Sequence, residues 1–368
     1  MILYQFANGD RIEREKYTII SYFRGKRKVL STSPLNGGVR TDLLSVFNSD
    51  FHAGKKKIPP LRAKTYAEHM ALLATDLGLD PALSSGLGTA AHMDNVAICS
   101  ETYADTTVTA MVTGGIQING GRVGEAAHWH ETEGEYVQCG FVPGTINTFL
   151  FISAHLTDAA LVRSLITCTE AKVAALQELM ASSCSSPGLA TGSCTDGVII
   201  VSDLESPVHL TEAGKHFKLG ELIGKSVIAA TKKALYLETS LSPEWQFSIL
   251  ERMGRFGVTA EVLFELCREH ISSQTEFEHR LYHMKSEEHL VVYTSLYAHL
   301  LDQVQWGLID PMLAVHTAHE LFQHMNIKKA FLDETEYKMK KDGNAPVIEM
   351  FTHAYRLGLC DMILEKKE

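Results

Sequence analysis

Hydrophobic and polar positions follow two patterns along this 368-residue chain, and the pattern changes near residue 240. Before that point, short β-rich runs are separated by turns of Gly, Asn and Asp. The run 107–112 alternates along its length, which predicts a strand with one buried face in a hairpin with 96–101. The segments 146–153 and 197–202 are almost continuously apolar, which predicts central strands covered on both faces.

Helical spacing predicts two helices in the same part of the chain. Thr157 is suited to cap the first, which then places apolar residues on one side: Leu161, Leu165, Cys168, Ala175, Leu176 and Leu179. A second helix is expected from about Leu219 to Leu237. After Pro243 the segments are long, compatible with helices and poor in glycine. We therefore predict a layered α/β domain with a mixed β-sheet and flanking helices over 1–240, and an all-α helical domain over 241–368.

Composition narrows the classes of partner and the compartment. The formal net charge of −10 argues against a surface that neutralises nucleic-acid phosphates. No stretch approaches the roughly 20 apolar residues of a membrane span, and the N-terminus has no signal-peptide core. The seven cysteines are scattered, with no CxxC pair, which favours reduced thiols in a cytoplasmic protein. A homo-oligomer stays possible.

Four segments before residue 240 carry family-specific motifs, namely 29–48, 88–125, 143–179 and 188–203. In them the chain resembles the adenosylcobinamide amidohydrolase family, whose SPLNGG, GTIN, TEAK and TG(T/S)xTD signatures occur here in the same order. The resemblance spans roughly residues 25–237. Two stretches depart from the family pattern: the turn after Gly115, which reads IQINGGRVGE, and the segment 126–138.

The resemblance implies a reaction and a substrate. It implies hydrolysis of the amide between the propionyl arm of a corrin ring and (R)-1-amino-2-propanol, which gives adenosylcobyric acid for cobalamin assembly. The cobalt-containing corrinoid is then a small-molecule substrate, while no cofactor is certain and a metal requirement is unknown. Two alternatives remain open: a corrinoid-binding protein without catalysis, and an amidase of the same fold that acts on another substrate.

The TGSCTD turn at 191–196 is the first candidate for the chemistry. Amide hydrolysis needs a nucleophile or activated water, donors for the oxyanion and an acid for the departing amine. We expect Thr195 and Asp196 to be catalytic, with Thr191 and Ser193 binding substrate. The alternative is a polar turn in which Asp196 accepts backbone hydrogen bonds. Cys194 is disfavoured as nucleophile, because family members commonly carry a hydroxyl or glycine near that position.

Two further motifs supply candidates. Asn147 lies in an apolar strand, where its amide either acts on the scissile carbonyl or fixes the surrounding turn. In the TEAK motif, Glu170 falls on the polar side of its helix, where it is either catalytic or merely solvated. Lys172 falls on the apolar side, which favours a snorkelling side chain or a buried pair, and it is a candidate to bind substrate.

The remaining candidates lie in glycine-rich turns and histidine pairs. Substrate contacts at the corrin rim are expected from Asn36, Arg40, Asn119 and Glu125, with turn chemistry as the alternative. Same-face histidine pairs that can in principle bind a metal are His128 with His130, His279 with His283, and His316 with His319 beside Glu320. Each pair lacks a placed third ligand, so ordinary surface histidines are favoured.

Overall fold

The computed structural model describes residues 1–127, 129–132, 135–138, 145–193, 195–328 and 345–365. The chain divides into two compact units, Met1–Ser242 and Pro243–Glu368.

Two β-sheets form the centre of the first unit. The first sheet has the order β1-β2-β3-β6-β7, with strands β1 (Ile2–Gln5), β2 (Arg11–Glu15), β3 (Thr18–Tyr22), β6 (Ser45–Asp50) and β7 (Ser84–Thr89). The second has the order β5-β4-β16-β13-β9-β8, with strands β4 (Arg27–Ser31), β5 (Gly38–Arg40), β8 (Ala97–Tyr103), β9 (Thr106–Gly114), β13 (Ile146–Ile152) and β16 (Gly197–Asp203). The pairs β6–β7 and β13–β16 are parallel, and the other pairs in these two sheets are antiparallel.

Three short two-stranded ladders complete the strands. They are β10 (Gly120–Gly121) with β15 (Gly192–Ser193), β11 (Trp129–Thr132) with β12 (Glu135–Gln138), and β14 (His155–Leu156) with β17 (His209–Leu210). The first of these joins the glycine-rich turn to the TGSCTD segment.

The first unit is a four-layer arrangement of helix, sheet, sheet and helices. Apolar side chains from both sheets, such as Val46 and Phe149, share one core between the sheets. Helix α1 (Tyr66–Asp76) covers the outer face of the first sheet through Met70 and Ala74. Helices α2 (Asp158–Glu178) and α3 (Lys218–Thr239) cover the outer face of the second sheet. The predicted layered α/β class with mixed sheets and flanking helices is confirmed.

Individual elements also match their sequence patterns, with one correction. Thr157 caps α2 by accepting a hydrogen bond from the Ala160 N–H at 3.3 Å, and α3 follows the predicted span. The hairpin β8–β9 forms, but β9 is buried on both faces from Val108 to Gly114, so the prediction of one buried face is wrong. The face of β9 that carries Met111 packs against the first sheet. The residues of that sheet are distant in sequence, so the pattern of β9 alone could not predict this contact.

The second unit is helical, as predicted. In the residues that the structure describes, its α-helices are α4 (Ile249–Met253), α5 (Ala260–Cys267), α6 (Gln274–Met284), α7 (Glu288–Gln305), α8 (Pro311–His324) and α9 (Ala345–Glu365). They share one core that includes Leu301, Phe322 and Tyr355. Within the described part of the chain, no helix combines the length and apolar content that a membrane span needs.

Candidate functional site

The free edge of β7 is occupied by side chains from other elements. The carbonyl oxygen of Gly88 accepts a hydrogen bond from Asn147 Nδ2 at 3.0 Å, and its N–H donates to Tyr66 Oη at 3.0 Å. Ser33 Oγ donates to the carbonyl oxygen of Gly86 at 2.6 Å. A Cβ at Gly88 would collide with the ring of Phe51 and the hydroxyl oxygen of Tyr66, so glycine is required for this close approach.

Asn147 lies between the two sheets and is fully engaged. Besides its bond to Gly88, its Nδ2 donates to Asn48 Oδ1 at 2.8 Å, and Asn48 Nδ2 donates to Thr113 Oγ1 at 2.7 Å. All three side chains of this polar cluster are buried. Both amide hydrogens of Asn147 are therefore used to join the sheets, as buried amides require. Its Oδ1 lies 3.3 Å from Thr145 Oγ1.

Asp196 lies at the start of β16 and pairs with Lys172, which is only 8% exposed. Its Oδ1 accepts hydrogen bonds from Ser193 Oγ at 2.6 Å, the Ser193 N–H at 3.0 Å and the Ile146 N–H at 3.1 Å. A carboxylate with a cation and several N–H donors is held in one orientation by strong, charge-assisted bonds. The buried pair is one of the two outcomes that the sequence predicts for Lys172.

A cavity of about 580 Å³ opens beside these groups. Its polar wall includes Asn147, Thr195 and Asp196, together with Thr145, whose hydroxyl donates to the Thr195 carbonyl oxygen at 2.5 Å. Its apolar wall includes Phe51, Ile58, Pro59, Pro60, Leu61 and Tyr66. An apolar chamber with a few converging polar groups is the usual form of a small-molecule site.

Comparison with known proteins shows the family of this chain. A family model described as adenosylcobinamide amidohydrolase matches residues 3–243, which is well over half of the chain. The chain belongs to the adenosylcobinamide amidohydrolase family. It is also similar to an uncharacterized protein of Methanocaldococcus jannaschii, with 33% identity over 244 residues that cover 61% of this chain and 88% of the relative. The match begins at residue 3, earlier than the motifs indicate, so the part of the chain that the family model covers includes the first sheet.

The predicted site residues lie at different distances from the cavity. All of them are described, and three line the cavity: Asn147, Thr195 and Asp196. Lys172 and Ser193 contact Asp196 from behind the wall. We expect these five residues to form the functional site.

Three other candidates hold loops near this group. Thr191 Oγ1 accepts the Val123 N–H at 2.9 Å, and Glu125 accepts the Arg122 N–H at 2.8 Å and Ser183 Oγ at 2.7 Å. Burial acts to raise the pKa of Glu125, but hydrogen bonds from Ser186, Arg122 and Ser183 outweigh it and lower that pKa. Asn119 is buried in the same turn, directly before β10.

The last three candidates lie away from the cavity. Asn36 Nδ2 donates to the carbonyl oxygens of Pro81 and Ser84, both at 2.7 Å, and Arg40 pairs with Asp42 at 2.7 Å. These contacts are the turn chemistry that the sequence leaves as the alternative. Glu170 is exposed on α2 and borders a separate hollow between α2 and α3. No contact joins Glu170 to Asp196 in the described structure, so its position favours the solvated alternative, and its catalytic role stays an untested prediction.

Sequence reasoning missed the segment that builds the apolar wall. Phe51, Tyr66 and the run 58–61 carry none of the family signatures that we recognised. The Thr65-to-Glu68 capping box marks the start of α1, but nothing in it points to a cavity. Burial raises the pKa of Tyr66 to about 12, although the hydrogen bond from Gly88 acts in the opposite direction.

A larger cavity and the histidine pairs are two other places where a site could lie. A larger cavity of about 1070 Å³ lies at the opposite ends of β13 and β16, beside Phe151 and Asp203, and none of the predicted site residues, all of them described, lines it. His128 lies outside the described residues. His316 pairs with Glu320 at 3.3 Å on the surface, and no group of three or more His, Cys, Asp or Glu among the described residues is arranged to hold a metal ion.

Proposed function

We propose that this chain hydrolyses adenosylcobinamide at the amide that carries (R)-1-amino-2-propanol. The C–N bond breaks, water supplies a hydroxyl to the acyl carbon, and the amine leaves with a proton. The products are aminopropanol and adenosylcobyric acid, which can re-enter cobalamin assembly. The corrinoid is the substrate in this proposal, and its cobalt is part of that substrate.

One observation carries the proposal: the cavity brings together residues from two separate family motifs, GTIN and TGSCTD, at the adjacent starts of β13 and β16. In this arrangement Asp196 serves as the base toward the attacking water, and Thr195 contributes its hydroxyl to the same step. Lys172 holds the Asp196 carboxylate in one orientation through their ion pair. Asn147 keeps the two sheets in register at the reacting centre.

The size of the cavity indicates how the substrate enters. A chamber of about 580 Å³ falls within the range that holds a drug-sized ligand, and a corrinoid is larger than such a ligand. We propose that the side arm enters while the macrocycle remains at the mouth, against the apolar residues 58–61.

The test is release of aminopropanol by purified full-length chain from adenosylcobinamide, from cobinamide without the adenosyl ligand, and from N-(2-hydroxypropyl)propionamide. The proposal predicts release from the corrinoid and little from the simple amide. Tight binding of the corrinoid without release would indicate a binding protein instead. Equal turnover of the simple amide would indicate an amidase with another substrate.

A further inference from the structure

Tyr66 lines the cavity and carries a hydroxyl group. The residue begins α1, and its Oη accepts the N–H of Gly88 at 3.0 Å. This bond uses a lone pair of the oxygen and leaves the O–H hydrogen for another acceptor. Among the described residues, no acceptor for that hydrogen lies within hydrogen-bond distance. The hydroxyl is thus a donor that a ligand can use.

Hydrogen bonds at the edge of β7 fix the position of this hydroxyl. The N–H of Gly88 binds Tyr66 and its carbonyl oxygen binds Asn147, so the two side chains meet at one residue of one strand. Both line the cavity that also contains Asp196. A substrate carbonyl beside Asn147 is therefore within reach of the Tyr66 hydroxyl.

Neighbouring polar groups are less suited to donate. Both amide hydrogens of Asn147 are used within the protein, and so is the hydroxyl hydrogen of Thr145. Thr32 donates to the carbonyl oxygen of Val198 at 3.2 Å. Burial keeps the pKa of Tyr66 high, at about 12, so its hydroxyl remains protonated at neutral pH.

We propose that the Tyr66 hydroxyl donates a hydrogen bond to the carbonyl oxygen of the scissile amide. As water adds to the carbonyl carbon, negative charge develops on that oxygen, and a donor already fixed in position stabilises that charge. Tyr66 then acts as a catalytic residue that the sequence motifs do not contain. This assignment rests on the proposed amide hydrolysis.

The test is Tyr66→Phe in the full-length chain, with Tyr4→Phe as the matched control. The Tyr4 hydroxyl bonds to Ser100 Oγ at 3.1 Å beside the other cavity, so its loss should leave turnover unchanged. Loss of a single oxyanion donor is expected to lower kcat about 100- to 1000-fold. KM should change by less than about 3-fold, because the bond strengthens mainly in the transition state.

A second variant alters the ring and keeps the hydroxyl. Replacement of Tyr66 by 3-fluorotyrosine keeps the ring, the hydroxyl and the acceptor for Gly88, so kcat should stay within about 3-fold of the wild type. Unchanged kcat in Tyr66→Phe, or a rise in KM alone, would overturn the assignment, as would a loss above 10-fold in the fluorotyrosine protein. If the wild type itself releases no aminopropanol, the proposed function fails and the Tyr66 assignment fails with it.

Discussion

At the scale of single residues, the proposed site depends on the Asp196 carboxylate and its cationic partner, Lys172. Asp196 and Lys172 form an ion pair in which the side chains are 16% and 10% exposed. Sequence reasoning could identify Asp196, because it ends a polar turn before an apolar strand, and could place Lys172 on the buried side of its helix. It could not identify Tyr66 or Phe51, because they reach the cavity through contacts with β7 and not through a motif.

Replacing Asp196 by Asn should abolish turnover and also destabilise the fold. The change leaves the Lys172 ammonium buried without its carboxylate, which typically costs about 3–5 kcal/mol. The double variant Asp196→Asn, Lys172→Met should recover most of the free energy of unfolding, measured in urea, and remain inactive. A double variant that regains turnover would show that Asp196 is only structural.

Glu170→Gln is the matched carboxylate control. Glu170 is exposed on α2 and borders a different hollow, so we expect normal stability and turnover close to that of the wild type. A loss of more than 10-fold in kcat would instead support the catalytic role that the TEAK motif suggests.

Tyr66 should also affect stability at high pH. Its folded pKa of about 12 is higher than the value of about 10 for an unfolded tyrosine. A raised pKa means that the neutral form stabilises the fold below pH 10 and that this contribution disappears as the pH approaches 12. Between pH 10 and pH 12, the free energy of unfolding should therefore fall by about 2 kcal/mol less in Tyr66→Phe than in the wild type. Identical pH profiles would contradict the burial of the hydroxyl.

At the scale of elements, local patterns predict α2, α3, β13 and β16, since each buries its apolar side chains at the spacing of its own secondary structure. The packing of one sheet on the other was not predicted. It depends on contacts such as Asn48 with Asn147, which are 99 residues apart. The same limit applies in the helical unit, where the Sγ atoms of Cys267 and Cys360 approach to 2.6 Å.

Gly88→Ala tests the edge of β7. A Cβ at this position overlaps the ring of Phe51 and the hydroxyl oxygen of Tyr66, so the variant should lose about 1–3 kcal/mol of stability and most of its turnover. Gly224→Ala is the control, because a Cβ there meets open space on α3 and should stabilise the helix by up to about 1 kcal/mol. Similar thermal stabilities for the two variants would show that the edge is not tightly packed.

At the scale of the whole molecule, the site lies within residues that the family model covers. Every residue described as lining the cavity falls within 3–243, while the helical unit beyond has its own core. The sequence predicts this unit from its long, glycine-poor segments compatible with helices, but it assigns the unit no role.

A chain that ends at residue 242 should retain hydrolysis. Its kcat should resemble that of the full chain, and a higher KM is expected if the helices contribute only substrate binding. Kinetics of the folded, monodisperse truncated protein test this expectation. A well-folded truncation without activity would place catalytic groups in the helical unit, with His316, His319 and Glu320 as first candidates.

Hydrolysis in ¹⁸O-labelled water tests the whole account most directly, because it reports which bond breaks and where the water oxygen goes. Full-length protein is incubated with adenosylcobinamide, and both products are measured by mass spectrometry. The account predicts equal amounts of unlabelled aminopropanol and of adenosylcobyric acid with one ¹⁸O in its new carboxyl group. Unchanged adenosylcobinamide, or ¹⁸O in the aminopropanol, would contradict it.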